Sequence, residues 1–291
     1  MIDKIQNNKN QQTISRPLEI KGIGLHSGLV VSMKLLPAEE DYGIKFIRTD
    51  LKINNNVDAI WFNVTNTKLC TTISNQFGVS VSTIEHLMSA LSGLHIDNLK
   101  IEIDGPEVPI MDGSSKEFVN LLENDIIKKQ SKQRKVLKIE KTIKVSSQDS
   151  SVELKPNNQF SIDFEIDFPS KVISKQSCQL QLINGNYKTD IASARTFGFE
   201  KDVHLLRSSG LALGGSLDNA VVVGENKILN KDGLRFKDEF VRHKILDCIG
   251  DLYLAGSPIQ GYFYGNKSGH NLNNLLLKTL FADKNNYNYI N

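Results

Sequence analysis

The sequence predicts an α+β fold built from two copies of one unit, each a β-sheet with two helices. In both halves of the chain, short runs of alternating apolar residues precede patterns typical of amphipathic helices. The two halves also share a spacing within the predicted helices. His86 and His243 are each followed seven residues later by a glycine, Gly93 and Gly250. A chance similarity of two β-then-α patterns would give the same order, so the sequence leaves that alternative open.

The composition is that of an ordinary globular protein. The chain has 291 residues, 40% apolar and 23% charged, which is enough for one large domain or two smaller ones. A net charge of +2 with scattered Lys and Arg argues against a nucleic-acid partner. We expect no transmembrane segment, because no apolar run reaches about 18 residues, and no signal peptide, because the first residues are polar. Cys70, Cys178 and Cys248 lie far apart, which is typical of free thiols in the cytosol.

The first unit is expected over residues 14–127, after a frayed lead-in. A helix in its middle starts with a match to a capping box, Ser82 followed by Glu85. The patterns predict strands near residues 18–20, 29–36, 44–48 and 99–103, and a second helix at residues 116–124.

The second unit is expected over residues 136–283. Residues 128–135 are charged and polar without apolar periodicity, and we interpret them as the linker between the two domains. The patterns predict strands near residues 136–145, 152–154 and 160–168, then one helix around His243 and another after His270.

Residues 242–251 form the stretch with the clearest chemical signal. In a helix, His243, Asp247 and Asp251 share one face, because they are spaced four residues apart. Lys244 is turned by about a hundred degrees from His243, so we expect it to flank that face. If the two units correspond, His86 faces these residues from a related helix.

Two histidines and a carboxylate are typical of a catalytic zinc site. His86, His243 and Asp247 would supply three protein ligands, and the fourth position would stay open for water. The alternative is that each histidine is an ordinary surface or core residue without a metal-binding role, and spacing alone does not exclude this.

Two further residues suit acid–base chemistry. Glu85 directly precedes His86, and a carboxylate beside a metal can act as a general base, although the capping box offers it a purely structural role. His270 lies in a loop at a helix start and is a candidate general acid, with Asp251 as the partner that would keep it cationic. We interpret the other three histidines, His26, His95 and His204, as non-catalytic.

Seven motifs, taken in order, resemble those of one protein family. They lie at residues 82–87, 109–114, 194–199, 213–216, 232–236, 242–251 and 267–274. The family is the zinc-dependent UDP-3-O-acyl-N-acetylglucosamine deacetylase of lipid A biosynthesis. The resemblance runs from about Ile14 to Asp283, and the ordered set is more specific than any single motif.

The resemblance implies hydrolysis of the 2-acetamido group of UDP-3-O-(3-hydroxyacyl)-N-acetylglucosamine to the free amine and acetate. It implies two domains whose helices pack between two sheets, with a small insert in each domain. It assigns the zinc ligands to His86, His243 and Asp247. It assigns the general base to Glu85 and the acid to His270, which Asp251 supports.

The resemblance also implies contacts with the substrate. Thr196 matches a residue that stabilises the oxyanion, and Lys244 and Phe197 match substrate contacts, Lys244 on the diphosphate side. The second insert, about residues 199–217, matches a passage for the fatty acyl chain, although its apolar residues would also suit ordinary packing. The remaining substrate-binding positions implied by the resemblance are Leu69, Cys70, Phe199, Leu211 and Gly215.

Two other functions stay open from the sequence. One is a zinc amidohydrolase that acts on another acetamido sugar, and the other is a non-catalytic nucleotide-sugar-binding protein of the same fold. We expect a cytoplasmic monomer whose partner is the acylated UDP-sugar. Histidine and carboxylate ligands also accept iron or cobalt.

Overall fold

Two five-stranded sheets with matching strand order form the frame of the molecule. The computed structural model describes residues 9–123, 126–182 and 185–291. The first sheet has the order β2-β3-β9-β4-β5 and the second the order β12-β13-β19-β14-β15. The strands of the first sheet are β2 (Leu18–Ile23), β3 (Val30–Pro37), β4 (Ile44–Arg48), β5 (Asn56–Asp58) and β9 (Leu99–Ile103). Those of the second are β12 (Ile143–Ser147), β13 (Ser150–Lys155), β14 (Ser161–Asp167), β15 (Lys175–Gln181) and β19 (Tyr262–Asn266).

The two sheets also agree in strand direction. In each, the strand latest in the chain lies at the centre, antiparallel to the second strand and parallel to the third. Burial alternates along β4 and β14, as expected for strands with one face on the core. The predicted α+β fold with two related units is therefore confirmed.

The long helices lie between the sheets. The helices of the described residues are α1 (Glu85–Gly93), α2 (Lys116–Leu122), α3 (Asn186–Asp190), α4 (Glu200–Ser208), α5 (Glu239–Tyr253) and α6 (His270–Ala282). Helix α5 packs on β14 and β15, α6 packs on β12 and β13, and α1 packs along α5. One apolar core joins these helices to both sheets, so the helices from the two units meet in the middle of the protein.

Each unit carries a small insert before its main helix. The first insert is a three-stranded sheet of β6 (Val64–Asn66), β7 (Thr72–Ser74) and β8 (Ser80–Val81). The second consists of β16 (Phe197–Phe199), α4 and β17 (Val221–Val223), and its two strands pair in parallel. This second insert is somewhat wider than the predicted residues 199–217.

The expected frayed lead-in was wrong for residues 10–13, and the stretch interpreted as the linker contains a strand. Strand β1 (Asn10–Ile14) lies in the expected lead-in, and it pairs with β10 (Ile127–Gln133), which covers most of the expected linker. Polar contacts hold much of this ribbon, since the side chain of buried Asn98 donates to Gln11 and to Gln130, at 2.8 Å each. Apolar periodicity does not detect such strands. The domain boundaries themselves stay a prediction.

A three-stranded sheet joins the end of the chain to the start of the second unit. Strand β11 (Val136–Ile139) pairs with β18 (Ile259–Gln260) and with β20 (Tyr287–Ile290). Short 3-10 helices lie at Trp61–Asn63 and Lys284–Asn286. The predicted helix at residues 116–124 ends at Leu122, and its position 124 lies outside the described residues. Among the described helices, none has the length and apolar character needed to cross a bilayer.

Candidate metal centre

Three buried side chains from α1 and α5 converge on one point. His86 lies in the first turn of α1, and His243 and Asp247 lie one turn apart on α5. Asp247 Oδ1 is 3.3 Å from His243 Nε2 and 3.5 Å from His86 Nε2. Each residue offers one ligand atom, and these atoms all lie within 4.8 Å of one another. The structure thus brings together the three residues predicted as metal ligands.

The spacing of these atoms fits a divalent cation. Tetrahedral zinc with bonds of about 2.0–2.1 Å places neighbouring ligand atoms about 3.3–3.4 Å apart. The two measured separations, 3.3 and 3.5 Å, match that geometry. Buried Asp247 Oδ1 also accepts no hydrogen bond from any residue that the structure describes. A buried, unpartnered carboxylate oxygen is costly, and a cation would satisfy it.

The protonation states favour metal binding. His243 Nδ1 is 3.1 Å from the carbonyl oxygen of Ala194, so the Nδ1 hydrogen is donated there and the Nε2 lone pair faces the cluster. Burial lowers the pKa of His243 to about 3, although Asp247 opposes this shift. Burial raises the pKa of Asp247, but His243 and Lys244 more than offset this and hold it well below its usual range. The site therefore holds a neutral imidazole and an ionised carboxylate.

Lys244 reaches the site instead of only flanking it. Its Nζ donates to Asp247 Oδ2 over 2.8 Å, which is an i,i+3 contact along α5. This bond occupies one carboxylate oxygen and leaves Oδ1 for the metal. The lysine side chain is long and flexible enough for its ammonium group to meet Asp247, although Lys244 and Asp247 do not point in the same direction from the helix.

Glu85 faces the site from α1. Its Oε2 accepts a hydrogen bond of 3.0 Å from the backbone N–H of Thr71. The capping-box prediction was wrong, because the hydroxyl of Ser82 donates instead to the carbonyl of Pro106, at 3.1 Å. Burial raises the pKa of Glu85, while His270 and His86 counteract part of this effect. A carboxyl group with a raised pKa is well suited to take up a proton.

His270 is the first residue of α6 and lies opposite Glu85. Its Nδ1 is 2.8 Å from Asp251 Oδ2, and its Nε2 is 3.9 Å from Glu85 Oε1. Burial lowers the pKa of His270, but Asp251 and Glu85 outweigh this effect and raise it to about 9. The imidazole is therefore a cation near neutral pH, with its Nε2 hydrogen available to the site.

Sequence reasoning did not assign a role to two residues that hold Glu85 and the His270–Asp251 pair in place. Thr71 donates its hydroxyl to Asp251 Oδ1 over 2.6 Å and its backbone N–H to Glu85, so it connects the two carboxylates. Asn273 donates to Asp251 Oδ2 over 2.9 Å, one helical turn after His270. The i,i+3 spacing from His270 was a usable signal for Asn273, and Thr71 directly follows Leu69 and Cys70 in the loop that the resemblance places beside the metal.

The structure describes the surroundings of three other predicted site residues. The backbone N–H of Thr196 donates to the carbonyl of Gly113, at 2.7 Å, which joins the two units. The ring of Phe197 lies edge-on to His243 with centroids 6.2 Å apart. Cys70 is buried, and burial raises the pKa of its thiol to about 12, so it stays protonated.

The remaining predicted substrate contacts lie on or near the inserts. Leu69 is 50% exposed and has a positive φ of 67°, which fits a residue at the tip of a turn. Phe199, Leu211 and Gly215 are all partly buried in the second insert. No contact in the described residues decides whether they line an acyl passage, so these roles stay predictions.

The fold and the site together define a class, the metal-dependent hydrolases. Three buried side chains that could hold a metal ion, a carboxyl group with raised pKa and a cationic imidazole supply the groups such chemistry needs. Comparison with known proteins agrees, because the chain matches the UDP-3-O-acyl N-acetylglycosamine deacetylase (LpxC) family over residues 11–282. The chain belongs to this family, and the resemblance predicted from its motifs is confirmed.

Individual relatives match over almost the whole chain. A protein of Syntrophus aciditrophicus named UDP-3-O-acyl-N-acetylglucosamine deacetylase is 47% identical over 277 residues, which cover 95% of this chain and 88% of the relative. Proteins with that name from Shewanella woodyi and Shewanella halifaxensis are each 48% identical over 276 residues, which cover 94% of this chain and 90% of the relative.

Proposed function

We propose that this protein hydrolyses the 2-acetamido group of UDP-3-O-(3-hydroxyacyl)-N-acetylglucosamine, a step of lipid A biosynthesis. The observation that carries the proposal is the pairing of Glu85 and His270 beside the ligand triad, with 3.9 Å between Oε1 and Nε2. A protein that only binds a nucleotide sugar has no use for a base and an acid at one point. Membership of the deacetylase family supports the choice of an amide substrate.

The chain's own residues supply both proton transfers of amide hydrolysis. Glu85 takes one proton from the attacking water as the water oxygen bonds to the carbonyl carbon. His270 gives its Nε2 proton to the amide nitrogen as the carbon–nitrogen bond breaks, so that the amine and acetate leave. Asp251 holds the His270 ring with Nε2 toward the site, through the 2.8 Å bond to Nδ1.

The donor set of His86, His243 and Asp247 would hold Zn²⁺. When bound, the metal supplies Lewis-acid polarisation of the carbonyl oxygen and lowers the pKa of water. Two of these ligands are oriented by further contacts. Lys244 donates to Asp247 over 2.8 Å, and the Ala194 carbonyl contacts His243 at 3.1 Å.

The other site residues are assigned to substrate recognition. Thr196 would donate to the oxyanion, and Phe197 would contact the sugar next to His243. Lys244 would meet the diphosphate in addition to its bond with Asp247. The acyl chain would run along the second insert past Phe199, Leu211 and Gly215, and Leu69 and Cys70 would border the metal from the first insert.

The proposed setting is a cytoplasmic monomer that acts on the acylated UDP-sugar. One assay tests the function: acetate release from the acylated substrate and from a substrate without the 3-O-acyl chain, with and without chelator. We expect release only with metal and a much higher kcat/KM for the acylated substrate. Release from both substrates at equal kcat/KM would indicate that the natural substrate is a different acetamido sugar. No release from either substrate would contradict the proposed deacetylase activity.

A further inference from the structure

Glu107 is a buried carboxylate that lies outside the candidate metal centre. It is 1% exposed, and three donors surround it. The backbone N–H groups of His26 and Ser27 donate to Oε1 and Oε2 at 2.8 Å each, and the hydroxyl of Thr83 donates to Oε1 at 2.9 Å. A buried carboxylate that accepts three hydrogen bonds has most of its four acceptor sites occupied, and it fixes the groups that donate to it.

The first two donors belong to the turn between β2 and β3, residues 24–28, which we call the docking turn. This turn presents three acceptors to the backbone of the second insert. Leu213 N–H donates to the carbonyl of His26 at 3.2 Å, and Gly214 N–H donates to the carbonyl of Leu25 at 3.0 Å. Ala212 N–H lies 3.4 Å from His26 Nδ1. The docking turn of the first unit thus binds the insert of the second unit backbone to backbone.

The docking turn and the insert lie too close for a side chain between them. A Cβ added at Gly214 would lie only 2.2 Å from the carbonyl oxygen of Gly24. The position of this part of the insert is therefore set by the docking turn, and the docking turn is held by Glu107.

The third donor connects Glu107 to the catalytic helix. Thr83 is buried, has a positive φ of 56° and lies two residues before Glu85, at the start of α1. One carboxylate therefore contacts both the segment that leads into Glu85 and the turn that holds the insert.

We propose that Glu107 is a positioning residue that sets the acyl-binding insert relative to the catalytic helix. Its carboxylate accepts from His26, Ser27 and Thr83, none of which is a proposed metal ligand, and it acts through the docking turn. Its effect should fall on binding of the acyl chain, while the chemistry at the metal centre should change little. The assignment of the insert to the acyl chain rests on the proposed function.

The test compares Glu107→Gln with the wild type. Both carboxylate oxygens accept from a backbone N–H of the docking turn, so either orientation of the glutamine amide places its NH₂ group against an N–H donor. Loss of one charge-assisted hydrogen bond corresponds to a factor of about ten. Glu102→Gln is the matched control, because that side chain lies on β9, is 29% exposed and pairs with Lys100.

Hydrogen exchange of the 212–214 amides is the first measurement, and it does not depend on activity. We expect about tenfold faster exchange at Leu213 and Gly214 in Glu107→Gln and no change in Glu102→Gln. Unchanged exchange at these amides in Glu107→Gln would overturn the proposal, whether or not the protein proves to be a deacetylase.

Steady-state kinetics are the second measurement. KM for the acylated substrate should rise about tenfold with kcat and metal content nearly unchanged, and kcat/KM for a substrate without the acyl chain should stay the same. An equal loss on both substrates, or loss of metal, would show a general structural role and overturn the proposal. If the wild type releases no acetate, the proposed function fails, and the exchange result alone decides the role of Glu107.

Discussion

Gly250 is the position at which α5 touches the backbone of α1 at Glu85, the proposed general base. A Cβ added at Gly250 would lie 2.1 Å from the carbonyl oxygen of Glu85 and 2.9 Å from its carbonyl carbon. Carbon–oxygen contacts require about 3.3 Å. The substitution Gly250→Ala therefore forces the two helices apart by about 1 Å, because backbone atoms on both sides cannot move aside individually.

This displacement acts directly on the metal centre. Glu85 and His86 are carried by α1, whereas His243 and Asp247 are carried by α5. Metal sites tolerate about 0.2 Å in their ligand distances, and a misplacement of about 1 Å in an active site costs about 100-fold in rate. We expect kcat/KM to fall about 100-fold and bound metal to fall below one equivalent. Overpacking should lower the free energy of unfolding by about 1–3 kcal/mol, and the better helix propensity of Ala should return up to about 1 kcal/mol.

The assay is acetate release combined with metal analysis and urea unfolding. The control is Lys278→Ala, because that side chain is exposed on α6, about two turns after His270. We expect the control to stay within about twofold of the wild type. A Gly250→Ala variant that holds a full equivalent of metal and loses less than about tenfold in kcat/KM would refute the helix-contact reasoning.

Three further predictions concern the proposed acid, base and ligands. Glu85→Gln should keep the metal but lower kcat by about 10²–10⁴, because the group that takes the water proton is lost; kinetics and metal analysis check both parts. His243→Ala should lower metal occupancy after dialysis, because it removes one of three ligands. Asp251→Asn should move the descending limb of the kcat/KM pH profile from near pH 9 to lower pH. His270 acts only when protonated, and the substitution removes the carboxylate that raises its pKa while the burial that lowers it remains.

Each of these predictions has an outcome that contradicts it. Wild-type turnover in Glu85→Gln would remove Glu85 as the base, and a full equivalent of metal in His243→Ala would remove His243 from the ligand set. An unchanged descending limb in Asp251→Asn would assign the acid elsewhere. Asp58→Asn is the charge control, since that carboxylate is 52% exposed on β5.

Apolar alternation predicted much of the sheet structure. Strand β4 and the central strand β9 match the predicted residues, and β3 differs by one residue at each end. Strands β1 and β10 escaped prediction, because buried side-chain amides anchor much of the ribbon they form, and only its end at Ile14 and Ile127 packs on the apolar core. A pattern method that reads burial of apolar groups has no signal for a polar strand.

Some features of the candidate site could likewise be predicted from the sequence, and others could not. The i,i+4 spacing of His243 and Asp247 and the spacing to Asp251 were visible in the sequence. The Ala194 carbonyl and the Thr71 hydroxyl were not, because a backbone carbonyl has no side-chain signature and Thr71 meets Asp251 from 180 residues away. The role of the Gly250 contact was equally hidden, although the glycine itself was noted.

By itself, the sequence determined which groups are present and how they are phased on each helix, because 3.6 residues per turn places positions four apart on one face. Only the tertiary structure decided that His86 meets His243 and Asp247 with ligand atoms 3.3 and 3.5 Å from Asp247 Oδ1. The same holds for the 2.8 Å contact between His270 and Asp251. Distances between remote segments depend on how the two sheets and the helices between them pack, and local spacing carries no information about that packing.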